Sequence, residues 1–329
     1  MIKDIIVEEY QKKLVKDLIV AEAGNLKNAT SQTIKDLHRK LSSIVKVAEN
    51  DLNEEANKGR FALSEFSLGS KTVITGTPTY LRALNKMTST KGFYSPQLII
   101  LMGAPKSFKT GTLLNIAVGL VRNGKKVYYV DCENGEDRIT DRFYQAMLEA
   151  TWEEYASGEL DETLEEMVRR FSVMGGDFRA DFYPAHTKSV SDVESNLDEI
   201  EEETGWKPDV ILWDYPDLMR PTDYTIKDKR FQIQAVYFDI NRCQKKRGIW
   251  GMGLSQVNKD AVGKAVIDMK AFAEDFGKAA NCHAAFALCR TEDEQKAGLM
   301  RIVPVVQRDG VNQASSAVCY TMVSEGKIS

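Results

Sequence analysis

Apolar side chains recur every three to four positions near the start of the chain: Ile5, Ile6, Tyr10, Leu14, Leu18 and Ile19. The spacing resumes at Ile34, Leu37, Leu41, Ile44, Val45 and Val47, with Lys and Glu between. This periodicity predicts amphipathic helices broken by a turn over 24–31. The texture changes after a stretch containing Gly59, Ser64, Ser67, Gly69 and Ser70. From there short apolar runs predict strands at 98–102, 126–130, 182–183, 210–213, 250–254, 284–288 and 301–306. Helical patterns follow Lys109 and cover 138–155, 190–204 and 232–247. Such alternation implies an α/β fold, a mainly parallel sheet with helices on both faces. The expected organisation is therefore a small helical region over 1–68 and an α/β domain over 69–329. The helical region could pack on its own body or dock on a neighbouring subunit.

Composition narrows this only at the margins. A length of 329 residues suits one large domain with a smaller appendage. No apolar run approaches the ~20 residues that cross a bilayer, and the N-terminus is too charged for a signal peptide, so a cytoplasmic protein without a membrane partner is expected. The cysteines (Cys132, Cys243, Cys282, Cys289 and Cys319) are odd in number and scattered, which predicts free thiols. The three histidines lie near no nucleophile or second ligand, which argues against zinc and Ser-His chemistry. A formal net charge of −4 rules out a global basic field and leaves nucleic-acid contact to local basic loops.

The segment from Leu98 to Thr110 reads as a buried strand, a loop and a helix starting near Lys109. Gly103, Ala104, Pro105, Lys106, Ser107, Phe108, Lys109 and Thr110 follow the spacing G-x-x-x-x-G-K-[ST], with Phe108 where the second glycine is usual. That chemistry needs backbone N–H groups facing phosphates at a helix N-terminus, where the macrodipole favours an anion. Lys109 would reach the β- and γ-phosphates of ATP, and Thr110 would offer its hydroxyl to Mg²⁺. A side chain at Phe108, where backbone must curl closely, raises the expectation of weakened turnover.

Three further strand ends carry suitable groups in order. The strand at 126–130 closes on Asp131 and Glu133; Glu133 is the candidate base that polarises the attacking water, and Asp131 would orient the turn. The strand at 210–213 closes on Asp214, which would hold Mg²⁺, while Asp217 reads as a surface or loop acid. The strand at 250–254 runs into Ser255, Gln256 and Asn258, and Gln256 could sense the γ-phosphate. Each has a bland alternative as a capped or solvated strand end. Four signals on successive strands, in this order, rarely arise by chance.

The phrases Lys207 to Pro221 (KPDVILWDYPDLMRP) and Leu254 to Asn258 (LSQVN) resemble the DnaB-like replicative helicases, especially those of tailed phages. Thr75 to Leu84, Phe182 to Ser191 and Arg301 to Gly310 are similar to further segments of that family, and the likeness spans about 70–315. The resemblance implies a RecA-like ATPase core, ATP and Mg²⁺ as cofactors, and a homo-hexameric ring. It implies movement 5′ to 3′ on single-stranded DNA in replication, with a primase or helicase loader as candidate partners, in a host cytoplasm if phage-encoded. It gives Glu133 as catalytic base, Gln256 as sensor and Arg308 as an arginine finger reaching a neighbour's site. Two positions depart from the family pattern, Phe108 and Val306. The wording of the loop around Phe108 also resembles phage RecA-like recombinases, which keeps a filament-forming strand-exchange protein as an alternative. A weak ATPase with a structural role is a third.

In the resembling family the loops beyond the strands face a central channel. The segments 220–230, with Lys227, Lys229 and Arg230, and 259–278, with Lys259, Lys264, Lys270 and Lys278, carry the cations that would track a phosphate backbone. Their scarcity of aromatics favours backbone tracking over base stacking.

Overall fold

The computed structural model describes residues 74–223, 225–257, 266–267, 276–308 and 316–329, and Ile74–Ser329 forms one unit. The predicted helical region 1–68 lies outside the described residues, as do Lys259, Lys264 and Lys270.

Nine strands build one sheet: β1 Leu98–Gly103, β2 Lys126–Asp131, β3 Asp177–Phe182, β4 Val210–Asp214, β5 Trp250–Gln256, β6 Ala284–Cys289, β7 Leu299–Gln307, β8 Ala317–Met322 and β9 Lys327–Ile328. Their order is β3-β2-β4-β5-β1-β6-β7-β8-β9. The six strands from β3 to β6 run parallel. The last three reverse direction in turn. The helices are α1 Arg82–Lys86, α2 Lys109–Arg122, α3 Glu136–Leu148, α4 Trp152–Ala156, α5 Asp161–Val173, α6 Val190–Thr204, α7 Lys229–Arg247, α8 Phe276–Asn281 and α9 Glu292–Lys296.

The continuous apolar runs of β1, β4 and β6 need cover on both faces, and every residue in them is buried. Alternate side chains divide the core in two. Ile99, Leu101, Val127, Tyr129, Val210 and Leu212 pack with Leu113, Ile116 and Leu120 of α2 and with Ile139 and Phe143 of α3. Leu98, Ile100, Met102, Tyr128, Ile211 and Trp213 face the other way, onto α6 and α7. Removing each such side chain from water contributes about 2 kcal/mol, so neither helical layer is dispensable.

Two expectations change, and some elements were not expected. The predicted strand at 182–183 is the end of β3, whose alternating polar residues (DFRADF) are only half-buried at the sheet edge and so give no apolar run. The helix expected over 138–155 is two helices: α3 stops at Glu149, in a left-handed conformation, and Thr151 opens α4 with a capping box. The α5 helix has no counterpart among the expected elements, although Leu164, Met167, Val168 and Phe171 recur at helical spacing, and Leu164, Met167 and Phe171 pack on the α2–α3 side of the core. The last two strands, β8 and β9, have no counterpart among the expected elements. The helix expected over 190–204 lies at Val190–Thr204, between the Ser189–Asp192 capping box and Gly205 at φ +67.

Candidate nucleotide site

The parallel strands bring their C-terminal ends to one edge of the sheet. Register pairs Gly103 with Gln256 and Asp131 with Asp214, and Val257 N–H donates to the Gly103 carbonyl at 3.3 Å. With β5 lying between β1 and β4, the candidate sensor is beside the loop that opens α2. Ligands of open α/β sheets gather at this edge.

In the loop 104–108, Lys106 and Phe108 both take positive φ, +63° and +64°. Phe108 is the residue preceding α2, at φ 64° and ψ 29°, the conformation that glycine adopts without steric cost. The loop therefore has the backbone that its usual glycine would give. Its ring finds room because position 111 has no side chain: a Cβ there would lie 2.3 Å from two ring carbons. Gly103 is needed for a similar reason, since a Cβ on it would stand 2.4 Å from the Ser107 hydroxyl.

Lys109 donates from its ammonium to the carbonyls of Gly103 and Ala104 at 3.1 and 2.9 Å. Burial lowers its pKa, while Glu133 and Asp214 pull it back up. Thr110 donates its hydroxyl to Asp214 Oδ2 at 2.9 Å. The same oxygen accepts from the Tyr129 hydroxyl at 2.7 Å and from Asn134 Nδ2 at 3.3 Å. Burial pushes the Asp214 carboxyl up to about 6, against the hydrogen bonds from Tyr129 and Thr110, with Asp131 and Glu133 adding to the rise.

Two buried oxygens in this region make no hydrogen bond within the protein: Ser107 Oγ and Asp214 Oδ1. Such atoms are costly unless something pairs with them. A loop hydroxyl suits a phosphate oxygen, and a lone carboxylate oxygen suits a divalent cation or its water. The residues present thus fit a nucleotide phosphate and Mg²⁺, with Thr110 and Asp214 the oxygen donors that would be available to the cation.

Asp131 organises the turn that bears Glu133. Its Oδ2 accepts from the backbone N–H groups of Asn134 and Gly135 at 2.9 and 2.8 Å, and its Oδ1 from Asn134 Nδ2 at 3.1 Å. Glu133 itself is exposed, and its charge acts on both Lys109 and Asp214. Gln256 donates its amide to the hydroxyl of Tyr215 at 3.3 Å, so the sensor candidate touches the residue after Asp214.

Sequence reasoning missed several participants. Tyr129 was legible, because a tyrosine in a fully buried strand needs a partner for its hydroxyl. Asn134 had a local signal, the spacing that lets an aspartate accept from the turn after it. Arg142 is half-buried on α3, its pKa drawn down by burial and by Arg138 against the pull of Asp214. Arg290 follows β6 and donates to the Lys106 carbonyl. No local pattern marked these two arginines.

Other candidates lie elsewhere. Arg308 is exposed at the end of β7 and donates to the carbonyl of Ala280. Gln307 pairs with Ala284 at the start of β6, whereas Gly103 pairs with Leu288 four residues further on. Arg308 thus sits about 15 Å or more along the strand direction from its own chain's loop, at the opposite end of the sheet. Lys227, Lys229 and Arg230 are all exposed or half-buried at the surface, and Lys229 lines a cleft of ≈ 260 Å³ with His186, Asp217 and Arg220. Phe231, 59% exposed next to Arg230, adds an aromatic surface to this basic segment. One reading is corrected. Lys278 is buried and ion-paired, which removes it from the phosphate-facing cations; its partner is Asp217, read from sequence as a surface or loop acid and lying in the turn 216–218. Among the described residues no helix is long and apolar enough to cross a membrane.

A family model, the DnaB-like helicase C-terminal domain, matches residues 76–268. No curated protein matches in sequence. Two solved structures are similar. One, an ATPase domain, has a TM-score of 0.67 at 16% identity, covering 86% of this chain and 97% of that one. The other, a DnaB-like replicative helicase described with its interactions with primase, has a TM-score of 0.67 at 16% identity, covering 98% and 77%. At that identity the likeness is one of fold.

Proposed function

The chain belongs to the DnaB-like helicase C-terminal domain family, and from that premise we propose that it moves along single-stranded DNA as a closed homo-hexameric ring, separating the duplex ahead of it. Family membership makes it an ATP-hydrolysing, replicative DNA helicase with a RecA-like core. The finer assignments are the proposal: the residues, the ring, and 5′ to 3′ movement, which rests on the family resemblance alone. A primase or a helicase loader is the candidate protein partner.

The observation that carries the residue assignments is the Thr110–Asp214 hydrogen bond, with Lys109 beside it and an unpaired carboxylate oxygen behind. The backbone N–H groups of the loop from Gly103 to Thr110, Pro105 excepted, would cradle the β- and γ-phosphates of ATP, with the Lys109 ammonium neutralising their charge. Mg²⁺, held by Thr110 and Asp214, would supply charge neutralisation at the same oxygens. Glu133 would take the proton of the attacking water, its turn held by Asp131. Gln256 would sense the γ-phosphate and pass its state through Tyr215 and β5. Arg308, far from its own chain's site, would serve a neighbour's, where such a finger is worth about 10³–10⁵ in rate. Lys227, Lys229 and Arg230, with Lys259, Lys264 and Lys270, would follow the DNA backbone.

The test is ATP turnover with and without single-stranded DNA for the natural chain, Lys109→Ala and Arg308→Ala, with particle mass measured in parallel. Closed rings whose DNA-stimulated turnover both substitutions abolish are the expected result. Turnover indifferent to DNA and to Arg308 would sink the proposal. Open filaments on DNA would favour strand exchange.

A further inference from the structure

Beneath the sensor strand lies a buried cation that the hydrolysis chemistry does not use. Lys278 on α8 is 4% exposed. Its ammonium donates to Asp217 Oδ2 at 2.5 Å and to the Ser255 hydroxyl at 3.3 Å, and lies 5.9 Å from the centre of the Tyr237 ring. The Tyr237 hydroxyl donates to Asp217 Oδ1 at 2.9 Å, and the Ser255 hydroxyl reaches Asp217 Oδ2 at 3.4 Å. An ion pair in such a place is weak support for stability, because apolar side chains of the same volume commonly do as well or better. Stability alone therefore gives little reason for it.

Its position gives one. Four elements meet at this pair: the 3₁₀ turn Pro216–Leu218 after β4, the end of β5, α7 and α8. Ser255 directly precedes Gln256, and Asp217 lies three residues after Asp214. The turn leads into 220–230, with Lys227, Lys229 and Arg230. The strand β5 leads into 258–275, and α8 follows that segment. Both basic segments therefore begin or end at the same ion pair. Within the second, Ile267 is 3% exposed and packs in the α6–α7 side of the core.

We infer that the Lys278–Asp217 pair positions the two basic segments and couples them to the nucleotide. At 2.5 Å, with Tyr237 on the second carboxylate oxygen, the pair holds the 216–218 turn and α8 as one body. The Ser255 hydroxyl sits at the outer limit of hydrogen bonding to both charges. A shift of β5 by a fraction of an ångström, driven at Gln256, makes or loses both contacts at once. The nucleotide then biases one body to which both segments are attached. The inference rests on the proposed DNA-contacting function and adds to it the element that joins the two sites.

The experiment measures how strongly the full chain binds a fluorescein-labelled oligo-dT strand by anisotropy, with and without a non-hydrolysable ATP analogue. The ratio of the two Kd values is the coupling, and it is reciprocal between the sites. A ratio of about tenfold is expected for the natural chain, falling to about one in Lys278→Met, while each ligand's separate affinity changes by about twofold or less. Lys278→Met leaves Asp217 without its counter-ion and can unfold the chain. Asp217→Asn/Lys278→Met together remove both charges and keep an acceptor for Tyr237, and the same loss of coupling is expected there. Coupling that survives in either folded variant overturns the inference, as does a loss of both separate affinities with the ratio intact. A natural chain that binds no single-stranded DNA overturns the proposed function along with it. One that couples no more strongly than its double variant overturns the inference alone.

Discussion

Phe108 stands in a left-handed conformation that costs a non-glycine residue about 1–2 kcal/mol, and its ring occupies the space that Gly111 leaves open. The two positions are thus one exchange: a side chain gained before the lysine and one given up on the first turn of α2. Gly111→Ala should displace the ring and distort the phosphate loop, at about 1–3 kcal/mol. Measured as affinity for an ATP analogue, it should be far more damaging than Phe108→Gly. Adding Phe108→Gly to Gly111→Ala should restore binding, with a coupling energy of about 1–3 kcal/mol; simple additivity would refute the exchange. Glu133→Gln tests the proposed base at the same scale. It should leave nucleotide affinity nearly intact and lower turnover by about 10²–10⁴-fold in single-turnover kinetics.

At the scale of elements, α6 and α7 are joined by a guanidinium. Arg247, with a side chain 10% exposed, pairs with Asp198 at 2.6 Å and Glu201 at 3.9 Å and donates to the Glu194 carbonyl at 2.9 Å. Removing it takes a nearly buried guanidinium away from Asp198 and from the Glu194 carbonyl, while Glu201 keeps Lys207 at 2.6 Å. Arg247→Leu should cost about 2–4 kcal/mol, read as a lower denaturant midpoint at unchanged slope. The substitution lies away from the sheet's C-terminal edge, so ATP-analogue affinity below the melting range should not move. Elements were legible in sequence where burial was complete. The runs of β1, β4 and β6 are apolar throughout because both faces are covered. By contrast, β3 at the sheet edge is half-buried throughout and alternates polar with apolar residues, so only its end was legible.

For the whole molecule, the reversal of direction at β7 matters most. It carries Arg308 to the end of the sheet opposite the chain's own phosphate loop. If Arg308 serves a neighbour, Arg308→Ala and Lys109→Ala should each be inactive alone, yet regain part of the turnover when mixed and reassembled. Mixed interfaces would join an intact Lys109 to an intact Arg308. A mixture as inactive as its components would refute the trans assignment. The gain should vanish below the concentration at which the particle falls to monomers, measured by mass photometry.

What the sequence determined by itself was whatever short-range pattern encodes. It supplied the alternation of strands and helices, the loop from Gly103 to Thr110, and the acids and amide that close three later strands. Each is a property of fewer than about fifteen consecutive residues, and burial or backbone geometry leaves a local trace of it. Only the tertiary structure decided which strand ends meet. It put Gln256 beside Gly103 and set the hydroxyls of Thr110 and Tyr129 on one oxygen of Asp214. It also buried Lys278 against Asp217, where sequence offered a phosphate-facing cation and a surface or loop acid. A lysine's charge is written in the sequence, but whether it meets water or a carboxylate depends here on a partner 61 residues away. Sheet order and register, which no local pattern carries, decide that.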